Sequence, residues 1–519
     1  MSKLYDVIIA GGGPVGLQLA CELALARASV LVLEANISRE SPWKVHPLGR
    51  RALNVPSIET FYRRGLLDKI LDSPQPPSSA RQMPGFKFGG IFAGIMLNAD
   101  KFDMTRHRCC LPGPALRPPT PTTTEHVENV LTERAESLGV EIRRGLGFNR
   151  IIAENENGIS VGAGDEQEFR GRWLVGCDGA RSAVRGAAGI TMAGTEPKFT
   201  GYAVHCDLDH PERLRPGFNR TDTGMYAVLP ESLYLVDFDD GAFDRTQELT
   251  HEHLQAVFRR TSGRSDVNIT KVHLASTFTD RAKQATTYRK GRVLLAGDAA
   301  HFHGPLGGQG LNAGLGDAMN LGWKLASTVR WEREPSSKAS KEDFEALINS
   351  YEKERHPIAS AVLQSTRAQV TAMQPGTHGA AIHSLLQQFI NTQDGANLCI
   401  DSLWGLSQQY RLDSEQSPSH PTVGCSAPDF HFKDGSRLGS RLESGQGIFI
   451  DFENDTVFKE AIAISDFTSR VEYVGMVAED QRGFRALLVR PDGIIAWAAE
   501  SGEQLDVQAA SAALKQWLS

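Results

Sequence analysis

The chain has 519 residues, of which 40% are hydrophobic and 23% charged. These are the proportions of a folded globular enzyme, with length for about three domains at roughly 100–200 residues each. A formal net charge of −7 provides no basic field, which excludes nucleic acid as the expected partner. Cys21, Cys109, Cys110, Cys177, Cys206, Cys399 and Cys425 fit no CxxC or Cys/His spacing, so no metal site and reduced thiols in a cytoplasmic compartment are expected. The apolar run from Val7 to Cys21 is interrupted by Gly11, Gly12 and Gly13 and bounded by Asp6 and Glu22. It suits neither a signal peptide nor a membrane span, and no later stretch reaches the roughly 18 apolar residues that spanning requires. No integral membrane segment is expected.

In chain order, Tyr5–Ala10 reads as a buried strand, Gly11–Gly16 as a tight turn, and Val15, Leu19 and Leu23 as the spacing of a helix running to about Arg27. Ser29–Leu33 is a second strand, ended by Glu34. In this βαβ setting Gly11-x-Gly13-x-x-Gly16 is a phosphate-binding turn. The first amides of the helix have no internal partners, and the helix dipole favours an anion there. Glu34, 18 residues after Gly16, stands where a carboxylate accepts hydrogen bonds from an adenosine ribose, and its charge repels a ribose phosphate. The expected ligand is therefore FAD or NAD rather than NADP. The cofactor-contacting set in this region is Gly11, Gly13, Pro14, Val15, Gly16, Glu34 and Ala35.

Residues 40–120 are rich in Pro, Gly and Arg, with one helix expected near 56–71. A helix over Thr124–Leu138 and strands within 140–176 lead to Gly176-Cys177-Asp178-Gly179-Ala180-Arg181. Alternating runs across 190–285 predict an inserted antiparallel sheet. The short strand Arg292–Ala296 precedes Gly297-Asp298-Ala299-Ala300-His301, and Pro305–Asn312 forms a second Gly-rich turn that opens a helix. Helices continue to about residue 410, with Pro357 near the start of one. A polar linker at 412–429 and a mixed β/α segment ending in a helix near 506–518 complete the chain.

These three motifs, in this order, resemble those of the class A flavoprotein monooxygenases, the FAD-dependent aromatic hydroxylases, and most of all the group acting on phenols and aromatic polyketides. The resemblance implies an α/β fold: a Rossmann-like FAD-binding domain (1–188 and, with helices, 285–410), a substrate-binding sheet domain (189–284) and a thioredoxin-like C-terminal domain (425–519). It implies that Gly297 and Asp298 meet the flavin ribitol, and that Pro305, Gly308, Gly310, Leu311 and Asn312 meet the pyrimidine edge of the ring. It further implies that Asp178 and Gly179 serve FAD and help dock NADPH, with Arg181 and Arg185 supplying charge, and that Arg50 or Arg51 reaches the flavin phosphates. On this resemblance NADPH or NADH is expected to reduce the flavin, dioxygen to form a flavin hydroperoxide, and one oxygen atom to enter an aromatic substrate. Baeyer–Villiger insertion or epoxidation on the same scaffold stays open, as does a non-oxygenating flavin reductase or binding protein.

Two departures from the family pattern stand out. Pro119–Thr124 lacks a Gln expected to touch FAD, and Gly304 replaces a proline, which predicts a wider space over the flavin. The candidate catalytic residues are His303, Pro305, His205 and Tyr226, with His205 or His303 as a phenol-activating base and Tyr234 and Phe238 as further lining. The C-terminal likeness rests on Ala427-Pro428-Asp429-Phe430 and Arg490–Trp497. Lacking CxxC, that region is expected to be structural or to support a homodimer.

Overall fold

The first sheet is built from the near-continuous apolar runs expected of strands covered on both faces. In the computed structural model, which describes residues 3–73, 86–334, 340–412, 420–462 and 470–518, its strands lie in the order Arg289–Lys290, Val293–Leu295, Gln167–Gly176, Leu4–Ala10, Val30–Glu34, Glu141–Arg144. The last five of these run parallel. Phe148–Asn155 and Gly158–Ala163 join through an antiparallel meander. The buried helices Pro14–Leu25 and Gln309–Arg333 cross so closely that a Cβ on Gly322 would lie 2.4 Å from that of Glu22.

The parallel strands end level with one another. Gly11 donates its N–H to Leu33 at 2.8 Å, Cys177 to Ala10 at 2.8 Å and Ala296 to Gly176 at 3.0 Å. The three Gly-rich motifs therefore emerge side by side at the carboxyl edge of one sheet, where open α/β sheets bind their ligands.

Residues 200–279 form the alternating five-stranded antiparallel sheet, ordered Gly217–Arg220, Gly224–Leu229, Ser232–Asp237, Thr200–Leu208, Ile269–Thr279. One face packs on helix His251–Ser262 through Tyr202, Val204, Tyr226, Leu233 and Leu235. The other face carries Met225, Val236 and Phe238 into a second apolar cluster with Ala93, Met373 and Leu306. Among the described residues no helix is long and apolar enough to cross a membrane.

Two helical expectations are corrected. The helix predicted near 56–71 is two, Val55–Tyr62 and Leu67–Leu71, broken at Arg63-Arg64-Gly65, where Gly65 has φ +67°. Pro357 lies in the middle of Lys341–Met373, because buried neighbours such as Arg355 and Ala359 hold the helix across the missing rung. Residues 413–419 of the predicted linker lie outside the described residues. Beyond them a four-stranded mixed sheet, ordered Val471–Gly475, Gly447–Asp451, Phe484–Val489, Ile495–Glu500, packs with helix Val507–Leu518.

The broken helix joins the two regions. Arg63 donates to Ser426 Oγ (2.7 Å) and to the carbonyls of Ala427 (3.2 Å) and Asp492 (3.3 Å). Arg64 donates to the carbonyls of Leu442 (2.7 Å) and Pro491 (2.9 Å) while paired with buried Glu22. The Arg490–Trp497 stretch is thus part of the docking surface between them.

Candidate cofactor site

Backbone proximity explains the first turn. A Cβ on Gly16 would lie 2.0 Å from the Gly11 carbonyl oxygen, and one on Gly11 would lie 2.3 Å from that of Cys177. Only glycine permits this packing of helix on strand. A Cβ on Gly13 would meet nothing within 4 Å, so the first amides of helix Pro14–Leu25 look into open space. Pro14 begins that helix. Val15 wedges against the late motif: Cβ positions on Gly297 and Gly314 fall 3.0 and 2.5 Å from its Cγ2. Early and late turns are in direct contact. Glu34 accepts from Gly12 N–H at 2.6 Å and from Asn36 N–H at 2.8 Å, and Ala35 beside it is exposed.

Asp298 lies in a hollow. Solvent reaches its side chain, yet burial by the surrounding protein raises its pKa, opposed by His301 and Arg51. No hydrogen bond to its carboxylate is found among the described residues. Arg51 is in the same position: exposed, but with its pKa lowered by burial and raised by Tyr234 and Asp298. Arg51, Tyr234 and Asp298 therefore face one another across this hollow, and Arg50 is close enough to act on Tyr234. Of the two candidate arginines, Arg51 is the one that interacts with Asp298.

Gly307 and Gly308 both adopt left-handed backbone (φ +73° and +64°), which turns the chain after exposed Pro305 into helix Gln309–Arg333. Space in front of Gly308 is open. Gly310 and Leu311 lie in the first helical turn, whose amides are free of intrahelical partners. A set of donors thus faces a carboxylate with no partner among the described residues, which suits a hydroxyl-rich chain carrying an electron-poor ring. The residues present fit FAD: Glu34 and the first turn could hold its adenosine diphosphate, Asp298 its ribitol, and Gly308–Leu311 its ring.

The other motif residues have partners within the protein. The Asn312 side chain is consumed internally: Oδ1 accepts from Asn54 N–H (2.9 Å), and Nδ2 donates to the carbonyls of Ala52 (2.9 Å) and Gly308 (2.8 Å). Asp178 accepts from Ser182 Oγ (2.5 Å) and Val184 N–H (3.1 Å), capping a short helix. Gly179 follows in left-handed backbone. Arg185 donates to the carbonyls of Ala299 (2.9 Å) and Ala180 (2.8 Å). Pro119–Thr124 contributes Thr120–Thr123, a strand against Arg50–Leu53. Gly304 packs closely on the neighbouring strand end: its Cβ position lies 3.0 Å from Asp280 Cα and 3.3 Å from the Thr279 carbonyl oxygen.

The catalytic candidates separate. Tyr226 is buried against Leu254, Val257 and Phe258, on the sheet face away from the hollow; strand register sends Tyr234, not Tyr226, to the side of Arg51. His205 packs against His273 with ring centres 4.7 Å apart and the planes tilted by 39°. His303 Nδ1 contacts the Gly304 carbonyl oxygen at 2.6 Å, so Nδ1 carries the proton and Nε2 is an acceptor. That Nε2 is buried without a partner among the described residues, 3.8 Å from the Cβ position of Gly310. Burial lowers the His303 pKa to about 4, which makes it a neutral acceptor and a poor base near neutral pH.

A family model described as FAD binding domain matches residues 4–366. A second, described as aromatic-ring hydroxylase, C-terminal, matches residues 420–519. The chain belongs to the FAD-dependent aromatic-ring hydroxylases and is a flavoprotein monooxygenase. This hydroxylase is 44% identical to a monooxygenase of Claviceps purpurea over 100% of its own length and 98% of that protein. It is 33% identical to a dialkyldecalin synthase of Streptomyces rugosporus, covering 95% of this chain and 96% of that one. The solved structure of the anhydrotetracycline hydroxylase from Streptomyces rimosus superposes with a TM-score of 0.81 at 30% identity, over 99% of both chains.

The hydroxylase also contains a polar core that its motifs did not announce. Asp317, fully buried on helix Gln309–Arg333, accepts from Gly297 N–H (3.0 Å), His301 Nε2 (2.6 Å) and Arg355 Nε (2.7 Å). Burial opposes its ionisation, but His301 and Arg355 hold its pKa below the usual range. Asp317, Asn320, Lys324 and Thr328 recur at helical spacing on one buried face, which was the signal available, but the partners of Asp317 are distant in sequence.

Proposed function

We propose that this hydroxylase takes electrons from NADPH or NADH and inserts one atom of dioxygen into a phenolic or polycyclic aromatic substrate. The observation that carries the reading is the Asp298 carboxylate, without a hydrogen-bond partner among the described residues, in a hollow between the amides of Gly308–Leu311 and the sheet face bearing Tyr234. FAD supplies the redox chemistry and activates dioxygen once reduced. The chain's part is to bind and orient. Amides at the start of helix Gln309–Arg333 stabilise negative charge on the ring. Half-buried Phe92, Phe238, Phe278 and Leu306 border the apolar cluster beside that turn, which supports a large, flat, apolar guest shielded from water. His303 Nε2 offers one acceptor for an O–H or N–H group.

Arg181 supports a docking place for the reducing dinucleotide. It is exposed and lies close enough to Arg245 that, after burial, it and Arg281 lower that guanidinium's pKa. Arg281 is paired with Glu196 at 2.9 Å, which leaves Arg181 and Arg245 as the cations that favour phosphate groups. Residues 425–519 we read as a thioredoxin-like unit without redox function, and residues 189–284 as the substrate unit between the two parts of the FAD-binding domain.

The test is NADPH and NADH oxidation by the FAD-loaded protein across a panel of polycyclic phenols, with ¹⁸O₂ and mass analysis of the products. The expected result is substrate-stimulated oxidation and one labelled oxygen on an aromatic carbon. A label within a lactone or epoxide identifies the Baeyer–Villiger or epoxidation variant, and bound FAD with no dioxygen uptake for any substrate overturns the reading. An Asp298→Ala protein should lose bound flavin; a fully yellow variant removes the ribitol assignment.

A further inference from the structure

Arg355 is buried to 1% exposure on helix Lys341–Met373, and its guanidinium bridges three elements. Nε donates to Asp317 Oδ1 (2.7 Å), Nη2 to the Ala313 carbonyl (2.8 Å) and Nη1 to the Tyr410 hydroxyl (2.9 Å). Asp317 Oδ2 in turn holds Gly297 N–H and His301 Nε2, the two ends of the turn that carries Asp298. Tyr410 ends the helical segment and is tied to the C-terminal unit through Gly424, whose N–H donates to the Ile495 carbonyl at 2.9 Å. The Tyr410 N–H donates to the Gly424 carbonyl at 2.9 Å, its hydroxyl also accepts from Gln408 at 3.0 Å, and its ring lies 5.7 Å from the guanidinium of Arg490. Arg490 is itself bound to Glu354 and Asp492.

We propose that Tyr410, Arg355 and Asp317 are positioning residues through which the C-terminal unit sets the Gly297–His301 turn, and with it the Asp298 carboxylate, for the flavin. The proposal rests on the reading that Asp298 meets the ribitol. No hydrogen bond among the described residues orients the Asp298 carboxylate, so the backbone of its turn decides where it lies. From one side that turn is tied by Arg185 to Ala299 and by Ala285 N–H to Ala300. From the other, Asp317 holds it. A carboxylate accepting three bonds is rigid only while its own cation is fixed, and the Tyr410 hydroxyl occupies the guanidinium nitrogen that neither Asp317 nor Ala313 uses. Buried polar networks of this kind transmit position well when fully satisfied and poorly when one member is lost. The unit that lacks CxxC thereby acquires a task in cofactor binding.

The decisive variant is Tyr410→Phe, which removes one oxygen and keeps the ring under Arg490. Its FAD Kd, measured by flavin fluorescence on the full-length apoprotein, should rise about 3- to 30-fold, a part of the roughly 10- to 150-fold that a hydrogen bond to a charged group is worth. The visible absorption band and midpoint potential of the bound flavin should shift with it. Arg355→Lys keeps a charge near Asp317 but cannot also reach Tyr410 and Ala313, so it should resemble Tyr410→Phe rather than the parent. Asp317→Asn should lose more. Tyr202→Phe, a buried hydroxyl in the core beneath helix His251–Ser262, is the control: it should lower the melting temperature and leave FAD affinity and spectrum alone. If Tyr410→Phe lowers only the melting temperature, the positioning role is wrong. If Asp298→Ala binds FAD like the parent, the ribitol assignment fails and takes this proposal with it. If Asp298→Ala loses FAD and Tyr410→Phe does not, the positioning role alone fails.

Discussion

The carboxylate of Glu34 accepts the backbone N–H of Gly12 at 2.6 Å, so the acid at the end of the second strand and the glycine turn after the first are one rigid unit. A Cβ on Gly12 would lie within 3.1–3.3 Å of the Glu34 side chain, which leaves the pair no freedom to separate. Glu34→Arg should therefore weaken FAD binding at least about tenfold, through charge reversal and through loss of the turn's anchor. Titration of the apoprotein with FAD checks this; unchanged affinity would remove Glu34 from the adenosine site.

Asn312 makes a different prediction from the one its motif suggests. Its three bonds tie Ala52, Asn54 and Gly308 together, and Asn312→Ala leaves buried backbone groups unpaired at about 1–3 kcal/mol each. Denaturant unfolding should show a loss of several kcal/mol, with FAD affinity falling as a consequence of the loosened turn. Unchanged stability would mean that water replaces the side chain.

Arg181 should matter for the reductant and not for the flavin. Arg181→Glu is expected to raise KM for NADPH severalfold, with FAD affinity unchanged and the effect shrinking as salt is added. A change in FAD affinity equal to that in KM would move Arg181 into the flavin site.

Acid should weaken the join between the C-terminal region and the helices. Burial opposes ionisation of Glu354, but Arg490 and Lys324 outweigh it and hold its pKa at about 2. The unfolded chain binds this proton first, so the stabilisation is complete above about pH 5 and is lost as pH falls through about 4.5 toward 2. Asn320 and Asp492 face the same cluster. Asp492 bonds Arg490, so a carboxylate remains on that guanidinium after Glu354 is protonated. Glu354→Gln should be less stable at neutral pH and show a flatter acid limb in unfolding midpoints measured from pH 2 to 7. An acid limb identical to the parent's would assign the loss to other carboxylates.

How far the sequence reached differs by residue. Gly11, Gly16 and Glu34 were legible because their task is local: a turn, a helix start and a strand end occur within one stretch of chain, and backbone sterics allow few other residues there. Asp298 was legible through its motif. Asn312 was seen as important but for another reason, since the groups it binds, Ala52 and Asn54, lie about 260 positions earlier. Tyr226 and Tyr234 alternate alike in sequence, and strand pairing decided which one faces the hollow.

The sequence by itself determined the parallel sheet, the order of its three Gly-rich turns and the likeness to flavin-dependent hydroxylases, because apolar periodicity and glycine geometry act over a few residues. Tertiary structure alone decided that Arg185 stitches two motifs together, that His303 is a neutral acceptor, and that Arg63, Arg64, Arg355 and Arg490 are buried cations joining distant segments. A charge can be kept from water only by partners that surround it in space, and chain order does not say which those will be.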